Sequence, residues 1–169
     1  LLDAAEKTAK EKNIQIVSLG KRLNAALATK VQELSQYRSE FFGKLRNLLG
    51  KQKDIRVVGD RFVFQSEVLF GSGSAKIGGA GETQLTQLAT TLRDISKKIP
   101  AKINWVLRVD GHTDRIPIRT PKYSSNWELS SARAISVVKF LTAQGIPAER
   151  LAATGFGEHQ PLDAREDEI

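Results

Sequence analysis

The chain has 169 residues, of which 40% are hydrophobic and 27% charged, enough for one domain with a core plus an additional element and too apolar for wholesale disorder. Its formal charge of +7 suits an anionic partner, whether nucleic acid, anionic lipid or acidic polymer, without choosing among them. The absence of cysteine excludes a disulfide framework and a thiolate metal site, and no apolar run reaches the roughly 18 residues that a membrane-spanning helix needs.

Residues 1–54 contain no proline. Ile16, Leu19, Leu23, Leu27, Val31, Leu34, Phe41, Leu45 and Leu48 recur at the helical period, with Arg38 in the one gap. The pattern predicts one long amphipathic helix, with Gly20 and Gly43 as candidate breaks. Its stripe either packs on the rest of the chain or serves as a dimerising coil or stalk. The chain opens at Leu1, inside that helix and without a methionine, so a processed chain or an excised piece is expected, with any signal or anchor upstream.

From residue 55 the period changes to alternation. Ile55 to Val58 and Arg61 to Phe64 flank Gly59-Asp60, a two-residue link suited to a tight hairpin, and the second strand is expected to run on to Phe70. The glycine-rich stretch 71–82 reads as a flexible loop, ending where Glu82 favours a helix start. Leu85, Leu88, Leu92, Ile95 and Ile99 then give a helical face, stopped at Pro100. Ile103 to Asp110 alternates as a strand with one buried face and delivers Gly111, His112, Thr113 and Asp114 at its end.

Ser125 and Glu128 have the spacing of a capping box. The helix they open has an inner stripe of Ala134, Val137, Val138 and Leu141 and runs to Gly145. A last strand, Leu151 to Thr154, precedes a terminal acidic tail at 166–169. Strands alternating with helices predict an α/β two-layer sandwich of βαβαβ order, with helices on one face of a small mixed sheet.

Few residues carry chemistry. His112 and His159 are the only histidines, too few for a zinc site without scattered carboxylates. Gly79 and Ala80 stand where a phosphate-binding loop needs Lys and Ser or Thr, and Ser72 and Ser74 lack the G-x-S-x-G elbow of a hydrolase. The aromatics alternate within strands instead of forming a stacking platform for nucleic acid. What remains is Asp114 at a strand end and Arg133 in the next helix, either an internal ion pair or the two ends of a site for a zwitterion.

The chain resembles the OmpA-like peptidoglycan-binding domain family over roughly residues 60–162. The matching positions are Gly111-His112-Thr113-Asp114, Asn126, Leu129-Ser130, Arg133-Ala134 and the run 145–162. The wording Asn126-Trp127-Glu128-Leu129-Ser130, with Pro117 in the preceding loop, is closest to the MotB branch, the wall-anchoring subunit of flagellar stators. Gly71 departs from a common Asp, and the loop from Asp114 to Asn126 is longer than in the outer-membrane members.

The resemblance implies a wall-binding domain over 55–165 with no catalytic residue, cofactor or metal. It would grip the diaminopimelate of the peptidoglycan stem peptide without a covalent bond. Asp114 would accept from the free ammonium and Arg133 would clamp the carboxylate, with Thr113 and Asn126 as polar supports and Leu129 shaping the wall. Asn126 reads equally as a helix cap. The expected setting is the periplasm of a Gram-negative envelope, with an inner-membrane anchor upstream, a homodimer through the first helix, and an inner-membrane channel or motor subunit as a further partner. Nucleic acid is not expected. The alternatives are the wall anchor of a stator or other force-generating complex, and an interaction module without an active pocket.

Overall fold

The computed structural model describes residues 2–49, 55–101 and 103–160. The terminal acidic tail and the last two positions of the 145–162 motif lie outside them. The chain divides into two compact units, Leu1–Gly43 and Lys44–Ile169.

Helix α1, Leu2–Leu49, is continuous through Gly20 and Gly43 and at about 1.5 Å per residue is roughly 70 Å long. Along its stripe Ile16, Leu19, Leu23, Leu27, Val31 and Leu34 are between 42% and 65% exposed. Leu45, by contrast, is 1% exposed. Among the described residues no helix is long and apolar enough to cross a membrane.

The second unit begins with the expected hairpin. Strands β1 (Ile55–Val58) and β2 (Arg61–Phe64) pair antiparallel from Ile55 opposite Phe64 to Val58 opposite Arg61. Gly59 takes the turn at φ +60°, where a Cβ would be strained. The strand does not run on to Phe70. Ser66–Leu69 forms a single helical turn, α2, closed by the Phe70 amide donating to the Ser66 carbonyl at 2.8 Å. Leu69 and Phe70 are adjacent and both buried, which a turn permits and strand alternation does not.

The glycine-rich stretch is pinned by a bridge between Phe70 and Ile77 and by the Gly78 amide on the Leu69 carbonyl at 3.0 Å. Helix α3, Gly79–Ser96, therefore starts where the bridge ends, three residues before Glu82. Its buried face is Leu85, Leu88, Ala89, Leu92 and Ile95, each large side chain contributing about 1.5–3 kcal/mol.

Strand β3, Leu107–Gly111, is shorter than the alternating pattern suggests. Arg150 Nη1 takes the carbonyls of Ile103 (3.5 Å) and Trp105 (3.2 Å) and the Asn104 Oδ1 (3.2 Å), which holds those residues toward Arg150. Helix α4, Asn126–Ala143, crosses to β4, Leu151–Gly155, which pairs parallel with β3 from Leu107 opposite Leu151 to Gly111 opposite Gly155. Ala134, Val137 and Leu141 are buried as expected. The α/β class holds, but the four strands among the described residues form one antiparallel and one parallel pair in place of a single mixed sheet.

Candidate functional site

The C-terminal ends of β3 and β4 and the first turns of α4 meet at one place. Beyond the strands the parallel pairing continues, with the Phe156 amide on the Gly111 carbonyl and the Thr113 amide on the Gly157 carbonyl, both 2.9 Å. Ser130, wholly buried, accepts from the Gly157 amide at 3.0 Å and donates to the Trp127 carbonyl at 3.0 Å, which ties both strand exits to α4. Asp114 is delivered to this mouth on an exposed loop.

The helix is capped at Ser125, where the spacing predicts. Ser125 is the N-cap, accepting from the Trp127 amide at 3.2 Å and donating to Glu128, while Ser124 donates to the other Glu128 oxygen at 2.8 Å. The Ser125 and then the Ser124 hydroxyl hold the Glu128 carboxyl below its ordinary range.

Asn126 is therefore not the cap. Only 3% exposed, it turns its amide into the long loop, where Nδ2 donates to the carbonyls of Asp114 (3.3 Å) and Ile116 (3.1 Å) and Oδ1 accepts from the Ile118 amide (3.3 Å). Leu129, 5% exposed, packs with Ala75 and Tyr123, and Ile118 rests on that cluster. One residue thus staples the loop and the next supports it from below. Asp114 Oδ1 accepts from the Ile116 amide at 3.1 Å, which orients the carboxylate. The Thr113 hydroxyl is buried and has no partner among the described residues.

Arg133 is held from the opposite side. Nε donates to the Ser74 carbonyl (2.9 Å), Nη1 to the Ser66 hydroxyl (2.8 Å) and Nη2 to the Gly71 carbonyl (3.3 Å), with the guanidinium 5.2 Å from the Phe70 ring. Burial lowers its pKa, while the charges of Asp114 and Glu67 raise it. No ion pair joins Asp114 to Arg133 among the described residues. The two charges share a field without neutralising each other, so the internal-pair alternative gives way.

Sequence reasoning missed Ser66, Gly71, Ser74 and Phe70 as the setting of Arg133. The only signal was a serine and glycine run beside a buried aromatic, and nothing in that run points 60 residues downstream. His112 is engaged within the fold. Its Nδ1 bonds the Gln160 carbonyl at 2.8 Å and its ring stacks on Phe156 at 5.2 Å; burial lowers its pKa, opposed by the Gln160 bond.

The model of the OmpA family matches residues 69–168. Uncharacterized protein YtxE of Bacillus subtilis is 40% identical over 101 residues, which is 59% of this chain and 38% of YtxE, so the chain spans well under half that relative's length. Among solved structures, a MotB-like protein from Desulfovibrio vulgaris superposes with a TM-score of 0.66 at 23% identity, covering 80% of this chain and 86% of that one, a likeness of fold. The cell wall anchor of the T6SS from Pseudomonas aeruginosa superposes with a TM-score of 0.58 at 28% identity, over 75% of this chain and 87% of that one.

Proposed function

This chain belongs to the OmpA family, and from that premise we propose that its second unit grips peptidoglycan through the diaminopimelate of the stem peptide. The observation that supports this reading is that Asp114 and Arg133 are each oriented by their own bonds and feel each other's charge with no ion pair between them among the described residues. A zwitterionic amino acid end fits that arrangement. Asp114 accepts from its ammonium and Arg133 forks its carboxylate, each charge-assisted bond contributing about 1.5–3 kcal/mol. The buried Thr113 hydroxyl is a further partner, while Asn126 and Leu129 act by fixing the loop that carries Asp114.

The likeness to a cell wall anchor supports a tether over an enzyme. The basic charge favours approach to a wall rich in carboxylates, an effect that weakens as salt rises. The proposed location is the peptidoglycan-facing side of the cell envelope. The narrower placement, a Gram-negative periplasm with an inner-membrane anchor, rests on the MotB resemblance, as does membership of a stator or other force-generating complex. An acidic membrane-spanning helix encoded immediately before Leu1 would support that membership, and a β-barrel there would exclude it.

The test is cosedimentation with isolated sacculi, backed by calorimetry with a diaminopimelate muropeptide. Asp114→Asn retains an oxygen for the Ile116 amide, so unfolding should be unchanged while sacculus binding is lost. Equal cosedimentation of the variant and the native chain would remove Asp114 from the site. Absence of heat from the native chain would favour an interaction module over a tether.

The exposed stripe of α1 supports a second element of the reading, a homodimer through that helix. An isolated helix gains most of its stability from packing an apolar face, and a second copy supplies one in register. Charge substitutions at Leu27 and Leu34, 54% and 42% exposed, should shift sedimentation toward monomer. A native chain that stays monomeric at high concentration would dismiss the coil.

A further inference from the structure

A guanidinium has five N–H donors. In Arg133 three are committed inside the protein: Nε to Ser74, one proton of Nη1 to the Ser66 hydroxyl, and one of Nη2 to Gly71. One N–H remains on each terminal nitrogen. The plane cannot turn to present a different face, because the three acceptors come from 59 to 67 residues upstream and Phe70 lies against the guanidinium.

We propose that Ser66 is a positioning residue that makes Arg133 a two-donor fork, so that the site accepts a free carboxylate and rejects the corresponding carboxamide. This rests on the wall-binding reading and names the form of the stem peptide that the site takes. A carboxylate offers two acceptor oxygens to two N–H groups. A carboxamide offers one oxygen and turns its own N–H groups toward the second donor, leaving that donor unpaired in a half-buried place. Were the guanidinium free to rotate, it could engage the remaining oxygen alone, and the penalty would shrink. The Ser66 hydroxyl prevents this by holding Nη1, the nitrogen that would otherwise keep two free protons.

The experiment compares two muropeptides by calorimetry, one with the carboxylate beside the free ammonium intact and one amidated there. The native chain should favour the free acid by about 100-fold. Ser66→Ala keeps the Arg133 charge and should reduce the preference to about 10-fold, while Ser66→Thr, which retains a hydroxyl, should restore it. In an Arg133→Lys background Ser66→Ala should change the ratio no further, which separates action through the guanidinium from a general effect on the fold.

Native affinities within about threefold of each other would overturn this inference and leave the wall-binding reading standing. Binding of neither muropeptide would overturn both. An undiminished preference in Ser66→Ala, or a further change in the Arg133→Lys background, would remove Ser66 from the role.

Discussion

Arg133→Ala is expected to abolish binding to sacculi and, at the same time, to lower the stability of the second unit by about 2–4 kcal/mol. The binding loss follows from the fork: two charge-assisted bonds of about 1.5–3 kcal/mol each correspond to a decrease of roughly 10²–10⁴-fold. The stability loss follows from what the guanidinium does in the absence of ligand. It satisfies the Ser74 and Gly71 carbonyls and the Ser66 hydroxyl and lies against Phe70. Three hydrogen bonds at a net ~1 kcal/mol each, with about 0.5–1 kcal/mol for the ring contact, give the upper end of that range.

Water reaching the exposed Gly71 reduces the cost toward its lower end. At roughly 2–4 °C per kcal/mol for a chain of this size, melting should fall by about 4–16 °C. Binding must therefore be read well below the variant's transition, with the folded fraction followed by circular dichroism. Arg133→Lys, which keeps the charge and loses the fork, should bind measurably but more weakly than the native chain, with a smaller shift in melting. Full binding by the alanine variant under those conditions would dismiss the carboxylate clamp.

The local elements were legible because their causes are local. Gly59-Asp60 between two alternating runs specifies the hairpin, and Ser125 with Glu128 specifies where α4 begins. The stripe of α1 and the buried face of α3 follow from spacing alone. Departures arise where a distant residue sets the backbone. β3 begins late because Arg150, 45 to 47 residues further on, takes the carbonyls that alternation assigned to a strand. α2 replaces the end of a strand because Leu69 and Phe70 both enter the core, a demand that periodicity cannot express.

The site divides in the same way. Asp114 and Arg133 were identifiable as a charged couple, but a sequence cannot distinguish a couple that pairs from one that faces a ligand. The distinction lies in where the guanidinium's protons go, and of those acceptors Gly71 and Ser74 are in the stretch that reads as a flexible loop and Ser66 in the one that reads as the end of a strand. Asn126 stood one residue from the true cap and looked like a cap for that reason. Only the fold shows its amide spent on Asp114, Ile116 and Ile118.

Gly111→Ala is the substitution expected to damage the fold most, because it strikes backbone that cannot yield. A Cβ there would lie 2.2 Å from the Ser130 carbonyl oxygen, 2.9 Å from its carbon and 3.4 Å from its Cα. Its cross-strand partner Gly155 would meet the Ser131 Oγ at 2.2 Å and the Ser130 Oγ and Ser131 amide at 2.7 Å. The paired glycines are what let α4 rest directly on the strand ends, close enough for Ser130 to hold the Gly157 amide. An added methyl must push the helix off that surface. Overpacking of a core costs about 1–3 kcal/mol and more where rigid atoms collide, so about 3 kcal/mol or above is expected for Gly111→Ala by denaturant unfolding.

Gly155→Ala should cost somewhat less, since the Ser131 hydroxyl can rotate away, and Ser131→Gly should relieve part of it while leaving Gly111→Ala unimproved. A midpoint for Gly111→Ala equal to that of the native chain would show that α4 moves freely against the sheet. That freedom would also undo the argument for the site, because Gly111 leads directly into His112, Thr113 and Asp114, and Arg133 lies one turn along the helix that the methyl displaces. The proposed clamp would keep its span only while that contact stays tight.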